Sequence, residues 1–159
     1  MEKMIREISI LMAEDDVEDQ MLVRDAMEES RLANKLTIVS NGEELLEHLR
    51  SCTGGTTPEL PGLVLLDLDM PRKDGREALA EMRQDPALRR IPVVVLTTSS
   101  SEEDILRTYD LGASTYIRKP VTFDKLVDVI RTIGTYWFEI AELPNPNGVV
   151  CPAPEPAQT

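Results

Sequence analysis

Five short apolar runs, rich in valine, isoleucine and leucine, recur along the chain with longer stretches of helical periodicity between them. The runs are Ile8 to Met12, Leu36 to Val39, Leu63 to Leu66, Val93 to Leu96 and Thr115 to Ile117. Between and after them, Val17 to Leu32, Glu43 to Arg50, Arg76 to Arg83, Glu102 to Leu111 and Phe123 to Ile140 space their apolar residues for one face of a helix. Runs that do not alternate with polar residues suit strands covered on both faces. A repeated strand-then-helix unit therefore predicts an α/β fold, a parallel sheet with right-handed crossovers.

Helix starts are marked by Asn41 before Glu44, Asp74 before Glu77 and Ser100 before Glu103, pairs of the capping-box kind. The segment Ser51 to Gly62 reads as a loop by its glycines, threonines and prolines, and Pro144 onward is too rich in proline to supply a core. The expected organisation is one folded domain over residues 1–143 with an extended last helix, followed by a flexible tail over 144–159. At 159 residues such a domain buries a core without disulfides or structural metal. Cys52 and Cys151 lack metal-ligand spacing and read as ordinary reduced thiols, and His48 reads as a solvated residue of the second helix. No apolar run is long enough to cross a bilayer, and the N-terminus lacks the pattern of a signal peptide, so a cytoplasmic location is expected. A net charge of −12 without a basic cluster argues against direct nucleic-acid binding.

In a parallel sheet, ligands bind beyond the carboxyl ends of the strands. Those positions hold Glu14, Asp15 and Asp16 after the first strand, Asp67 and Asp69 after the third, Thr97 and Thr98 after the fourth, and Lys119 with Pro120 after the fifth. Carboxylates about 4 Å apart repel by roughly 4 kcal/mol per pair at an effective dielectric near 20, so this group requires neutralisation. Hard oxygen ligands without nearby cysteine or histidine suit Mg²⁺. With such an ion bound, one carboxylate can attack an activated phosphoryl group while an ammonium and a hydroxyl stabilise its oxygens. Asp67 is the candidate nucleophile, Glu14 and Asp15 the candidate metal ligands, Lys119 the ammonium and Thr97 the hydroxyl.

The motifs Glu14-Asp15-Asp16, Leu65-Leu66-Asp67-Leu68-Asp69-Met70-Pro71 with Asp74-Gly75, Leu96-Thr97-Thr98-Ser99, Leu111-Gly112-Ala113 and Tyr116-Ile117-Arg118-Lys119-Pro120 together resemble the receiver domain of bacterial response regulators. The resemblance spans roughly residues 8–141. It implies a flavodoxin-like, doubly wound sheet of five parallel strands in the order 2-1-3-4-5 with five helices. It implies further that Asp67 is the phosphoacceptor, that Glu14, Asp15, Asp67 and the backbone carbonyl of Asp69 hold Mg²⁺, for which Mn²⁺ or Ca²⁺ can substitute, and that Lys119 is the family's lysine. Thr97 and Tyr116 match its switch pair, and Asp69 and Ser99 stand where the family tunes hydrolysis of the acyl phosphate. A sensor histidine kinase is the implied phosphoryl donor, and the chain is expected to be a switch rather than an enzyme acting on external substrates.

Beyond the simplest receivers, the chain carries the 51–62 loop and a last helix extended through Tyr136-Trp137-Phe138, where Leu126, Ile130, Ile133, Trp137 and Ile140 predict an apolar stripe. That aromatic triplet is read as a partner or dimer surface. With the Leu-Thr-Thr-Ser run, these features are similar to the small regulators paired with bacterial phytochrome kinases, which implies a homodimer. Two rival readings exist. Asp67-Leu68-Asp69 also fits the nucleophile and acid of haloacid dehalogenase phosphatases, but here further acids precede the pair. A partner-binding scaffold that is never phosphorylated sits poorly with the complete set of site residues.

Overall fold

A computed structural model describes residues 8–32, 34–53 and 60–143. The Pro-rich 144–159 segment with Cys151, and residues 54–59 of the 51–62 loop, lie outside the described residues. The order of elements is β1 (Ile10–Ala13), α1 (Val17–Glu29), β2 (Leu36–Val39), α2 (Gly42–Cys52), β3 (Leu63–Leu66), α3 (Gly75–Gln84), β4 (Val93–Thr97), α4 (Glu102–Asp110), β5 (Thr115–Arg118) and α5 (Phe123–Gly134). A π-helical turn, Thr135–Ile140, continues α5. All strand pairs are parallel, and the sheet order is β2-β1-β3-β4-β5. The flavodoxin-like expectation is met.

The strands read as apolar runs because they are covered twice. Every residue of β1, β3 and β4 is buried, whereas the edge strands β2 and β5 are half-buried or exposed. Leu11, Val64, Leu66, Val93 and Val95 face one layer with Leu45, Leu49, Leu79 and Met82 of α2 and α3. Ile10, Met12, Leu65 and Val94 face the other with Val23 and Met27 of α1 and Leu126 and Ile130 of α5. Among the described residues no helix is long and apolar enough to cross a membrane.

Each α-helix opens on a side-chain cap. Asp16, Asn41, Asp74, Ser101 and Thr122 accept from amides of the first turns, which satisfies donors that the helix itself leaves free. The cap of α4 is therefore Ser101, bonded to the Asp104 amide, and not Ser100. Helix α2 runs through Ser51 to a buried Cys52, past the Arg50 end that the sequence suggests. His48 is half-buried on it. Helix α1 stops at Glu29, short of the expected Leu32, because Arg31 adopts φ 59° and the Arg31 and Leu32 amides bond back to Glu28 and Met27. That is a glycine-type helix end built without glycine. Helix α4 closes in the same way with Gly112 at φ 100°.

The last helix departs most from expectation. A π turn bonds residue i to i+5, as the Ala141 amide does to the Tyr136 carbonyl at 2.7 Å, and so delays the apolar face by one residue. Phe138 enters the core beside Ile133, Trp137 only packs against its rim, and Ile140 is exposed. The stripe ending in Trp137 and Ile140 thus breaks at Gly134.

Candidate functional site

Strands β1, β3, β4 and β5 end at one edge of the sheet and deliver Glu14, Asp67, Thr97 and Lys119 there. Pairing fixes this directly: the Asp67 amide donates to the Ala13 carbonyl at 3.1 Å, and the Lys119 amide donates to the Thr97 carbonyl at 2.7 Å. After buried Glu14 the chain leads Asp15 and Asp16 into solvent, and Asp16 turns back to cap α1. One carboxylate oxygen each from Glu14, Asp15 and Asp67 lies within 4.8 Å of the others.

Burial governs the electrostatics of this cluster. Glu14 and Asp67 are 0% and 5% exposed. Lys119 Nζ donates to Glu14 Oε2 at 2.6 Å and to Asp19 Oδ2 at 2.9 Å, and stands 3.7 Å from Asp67 Oδ2. Loss of water pushes the Glu14 carboxyl up to about 7, opposed by the Lys119 hydrogen bond and reinforced by the charge of Asp67. Loss of water likewise raises Asp67, against the opposing Lys119 charge, the Thr97 hydroxyl and the Asp69 amide. For Lys119, burial favours the neutral amine, but its bonds to Glu14 and Asp19 and the charge of Asp67 outweigh it, so the ammonium is held more firmly than usual. One cation thus faces two buried acids, Glu14 and Asp67, that resist full ionisation together.

Thr97 is fully buried, and its Oγ1 makes no hydrogen bond within ordinary distance and angle limits, although its dipole favours the charged form of Asp67. A buried hydroxyl without a partner costs roughly 1–3 kcal/mol, and the Thr97 proton is left to donate to any acceptor oxygen brought to this edge. The side chain of Asp69 is exposed and faces Arg76 at 3.6 Å. Tyr116 is half-buried, and its hydroxyl donates to the Ser99 carbonyl at 2.9 Å. Tyr136, Trp137 and Phe138 sit at the far end of α5. Tyr136 and Trp137 meet edge to face at 5.1 Å and line a groove of about 340 Å³ with Thr115, Ile117, Val129 and Ile133, while Phe138 is buried beneath. Hard carboxylate oxygens at this spacing, two of them desolvated, are a donor set for an oxygen-seeking divalent cation.

A family model described as the response regulator receiver domain matches residues 10–131. The chain belongs to the response regulator receiver family. The chain is 38% identical over 135 residues to response regulator Rcp1 of Synechocystis sp., which covers 85% of the chain and 92% of that protein. In structure it is similar to the phosphorylated cyanobacterial phytochrome response regulator RcpA, with a TM-score of 0.79, 39% identity and coverage of 86% of this chain and 98% of that one. It is similar also to the Mn²⁺-bound form of Rcp1, with a TM-score of 0.77, 38% identity and coverage of 86% and 99%. The chain is accordingly a phosphoryl-accepting response regulator of two-component signalling, with a divalent-metal site of the receiver kind.

Several site residues escape a reading of strand ends. Asp19 shares Lys119 with Glu14, and its one sequence signal is its place four residues after Asp15, one helical turn on. Gln20 Nε2 donates to the Glu14 carbonyl at 2.6 Å and fixes the acidic run. Arg76 and Asp104, from two different helices, pair at 2.8 Å, and nothing in their spacing announces it.

Proposed function

We propose that Asp67 is the phosphoacceptor and that the chain takes its phosphoryl group from the phosphohistidine of a sensor kinase. The observation that carries this reading is the joining at one sheet edge of three carboxylates, an ammonium and an unpartnered buried hydroxyl. In the step, an Asp67 carboxylate oxygen attacks phosphorus and the bond from phosphorus to the imidazole nitrogen breaks. Its electron pair stays on the ring, and an acyl phosphate remains on Asp67. Mg²⁺, with Mn²⁺ or Ca²⁺ as substitutes, would be held by Glu14, Asp15, Asp67 and the carbonyl of Asp69, and supplies positive charge to the phosphoryl oxygens. Lys119 neutralises the acceptor side, and Thr97 donates its hydroxyl to a phosphoryl oxygen. Tyr116 follows Thr97 as the switch that carries the change to α4, β5 and α5.

The chain then acts as a cytoplasmic switch that catalyses only its own phosphotransfer and slow self-hydrolysis, and signals through a protein surface. Likeness to the cyanobacterial phytochrome response regulator RcpA supports a bacterial phytochrome kinase as donor. Exposed Val17, directly after the acidic run, and Val121, just past Lys119, offer a docking kinase an apolar rim. Residues 1–143 make up the receiver domain in this reading, and 144–159 its Pro-rich tail. The apolar groove at Tyr136 and Trp137, beside the edge strand β5, supports a homodimer on that face. Trp137→Ala is expected to lower the mass measured by sedimentation, and an unchanged mass defeats the dimer assignment.

Incubation with acetyl phosphate and Mg²⁺ followed by mass spectrometry tests the acceptor. Wild type should gain a single phosphoryl group and Asp67→Asn none. An equal adduct on Asp67→Asn would overturn the assignment.

A further inference from the structure

Arg76 stands beside the site but outside its carboxylate cluster. The preceding Gly75 is packed so tightly on the end of the acceptor strand that a Cβ there would come within 2.3 Å of the Asp67 carbonyl oxygen, and its amide donates to the Leu68 carbonyl at 2.9 Å. The start of α3 is therefore locked to the acceptor segment. From it the Arg76 side chain, only 16% exposed, reaches Asp104 Oδ1 through Nη2 at 2.8 Å and Nε at 3.2 Å. Its Nη1 lies 3.6 Å from Asp69 and 4.0 Å from Asp74. The other oxygen of Asp104 accepts from Ser99 Oγ at 2.7 Å, and the Ser99 carbonyl accepts from Tyr116. One polar chain thus runs from Asp69, two residues past the acceptor, through Arg76, Asp104 and Ser99 to Tyr116.

We infer that Arg76 is a positioning residue that lengthens the life of the phosphoryl group on Asp67, by holding the Asp69 carboxylate aside and by pinning the segment between β4 and α4. The inference rests on the reading of Asp67 as phosphoacceptor. Loss of the phosphoryl group is attack of a water oxygen on phosphorus. The bond from phosphorus to the Asp67 oxygen breaks, the carboxylate leaves with the electron pair, and the water proton passes to the released phosphate or to solvent. Two things limit that attack: access of water, and a base to receive its proton. The Asp69 amide already bonds to the Asp67 carboxylate, so its side chain springs from the backbone nearest the acceptor. Released from Arg76, that carboxylate becomes available to take the proton. The anchor of Ser99 on Asp104 is lost in the same event, and the segment covering the fourth strand end loosens toward water.

Arginine suits the task because its planar fork bridges acids from two elements, which a single ammonium does less well. A partly exposed pair of this kind adds little to global stability, so its role is expected in a rate rather than in a melting temperature. The control lies on the same helix: Glu81 pairs with Lys73 and Arg50, away from the acceptor segment.

The test uses the full chain, phosphorylated with acetyl phosphate and Mg²⁺ and then freed of donor, with the acyl phosphate followed by mass spectrometry over time. Arg76→Ala should shorten the half-life by roughly threefold to tenfold with a wild-type melting temperature. Arg76→Lys should recover part of it. Asp104→Asn should also shorten it, the double variant should be no worse than Arg76→Ala, and Glu81→Gln should match wild type. An unchanged half-life in Arg76→Ala, or equal shortening in Glu81→Gln, overturns the inference. If Arg76→Ala fails to fold, Arg76→Lys and Asp104→Asn decide by the same measure. An adduct absent from wild type overturns the acceptor reading and this inference together; an adduct with an unchanged half-life overturns this inference alone.

Discussion

Helices α3 and α4 are nearly equal in length and follow the two central site strands, yet different forces hold them down. Helix α3 buries Gly75, Ala78, Leu79 and Met82. Its last turn is stapled by Arg83, which donates to the carbonyls of Arg89, Ile91 and Gly112. Helix α4 buries Thr108 alone, while Leu106 and Tyr109 are 68% and 47% exposed. Its ties are polar: Asp104 to Arg76 and Ser99, and the Tyr109 hydroxyl to the Tyr116 amide at 3.1 Å. Apolar burial is lost only at large cost, whereas hydrogen bonds and ion pairs can be exchanged for others of similar worth when charge nearby changes. The element after β3 therefore serves as a platform, and the element after β4 is held by contacts that a change of charge nearby can exchange.

The largest test of this contrast is Leu79→Ala. Leu79 is 0% exposed in the layer shared by α2 and α3, so truncation removes transfer energy and leaves a cavity, at a cost of about 2–5 kcal/mol. Urea denaturation followed by circular dichroism measures it. A loss below about 1 kcal/mol would show that α3 is no more anchored than its neighbour.

The strand-end residues were readable in the sequence, and the contacts that anchor α3 and α4 differently were not. Glu14, Asp67, Thr97 and Lys119 each adjoin a strand, and strand ends in a parallel sheet share one edge, so spacing along the chain converts directly into proximity. Caps such as Asn41 and Asp74 are equally local. By contrast, Arg31 ends α1 in a conformation that composition assigns to glycine, and the π turn after Gly134 exchanges Trp137 for Phe138 in the core without any change in the apolar pattern. The Arg76 to Asp104 pair joins residues 28 apart on separate helices, a distance that only the packed sheet closes. Periodicity reports what a helix could bury, not how much of that face a neighbour covers, and so it treated α3 and α4 alike.

The same opposition of apolar and charged anchoring separates the strands from their ends, and pH distinguishes them. Glu14 rises from an ordinary 4.5 to about 7 in the fold, chiefly because burial disfavours its charge. The folded state then binds that proton more tightly than the unfolded state. Stability is fully present below about pH 4.5 and falls as pH rises to about 7, by up to about 3 kcal/mol. Asp67, also raised, adds a loss of the same sign. Lys119, whose proton is held more tightly than usual, gives a contribution that persists through neutral pH and cannot offset the fall. Glu81 and Asp104, both lowered, give stability that is lost only in acid, outside this window. In chelator, the melting temperature should fall between pH 5 and pH 8. Glu14→Gln should flatten that fall, and a divalent cation should restore stability most at the alkaline end. A flat profile for wild type in chelator would mean that the strand ends are not under this strain.

The smallest expected effect is the sharpest for α4. Leu106 sits mid-helix on a face that nothing in the described residues covers, so Leu106→Ala removes little buried area and, alanine being the better helix former, should leave stability within about 0.5 kcal/mol. Paired with Leu79→Ala, it asks whether homologous positions of successive strand–helix units carry the same load. Amide hydrogen exchange completes the measurement, because α4 amides should open through local fluctuation while α3 amides exchange only through wider unfolding. A loss above about 1 kcal/mol in Leu106→Ala, or equal protection of the two helices, would mean that α4 is clamped by a cover such as a second copy of the chain. The exposure of Leu106 would then mark an interface, and the freedom of α4 to respond would belong to the separated protomer alone.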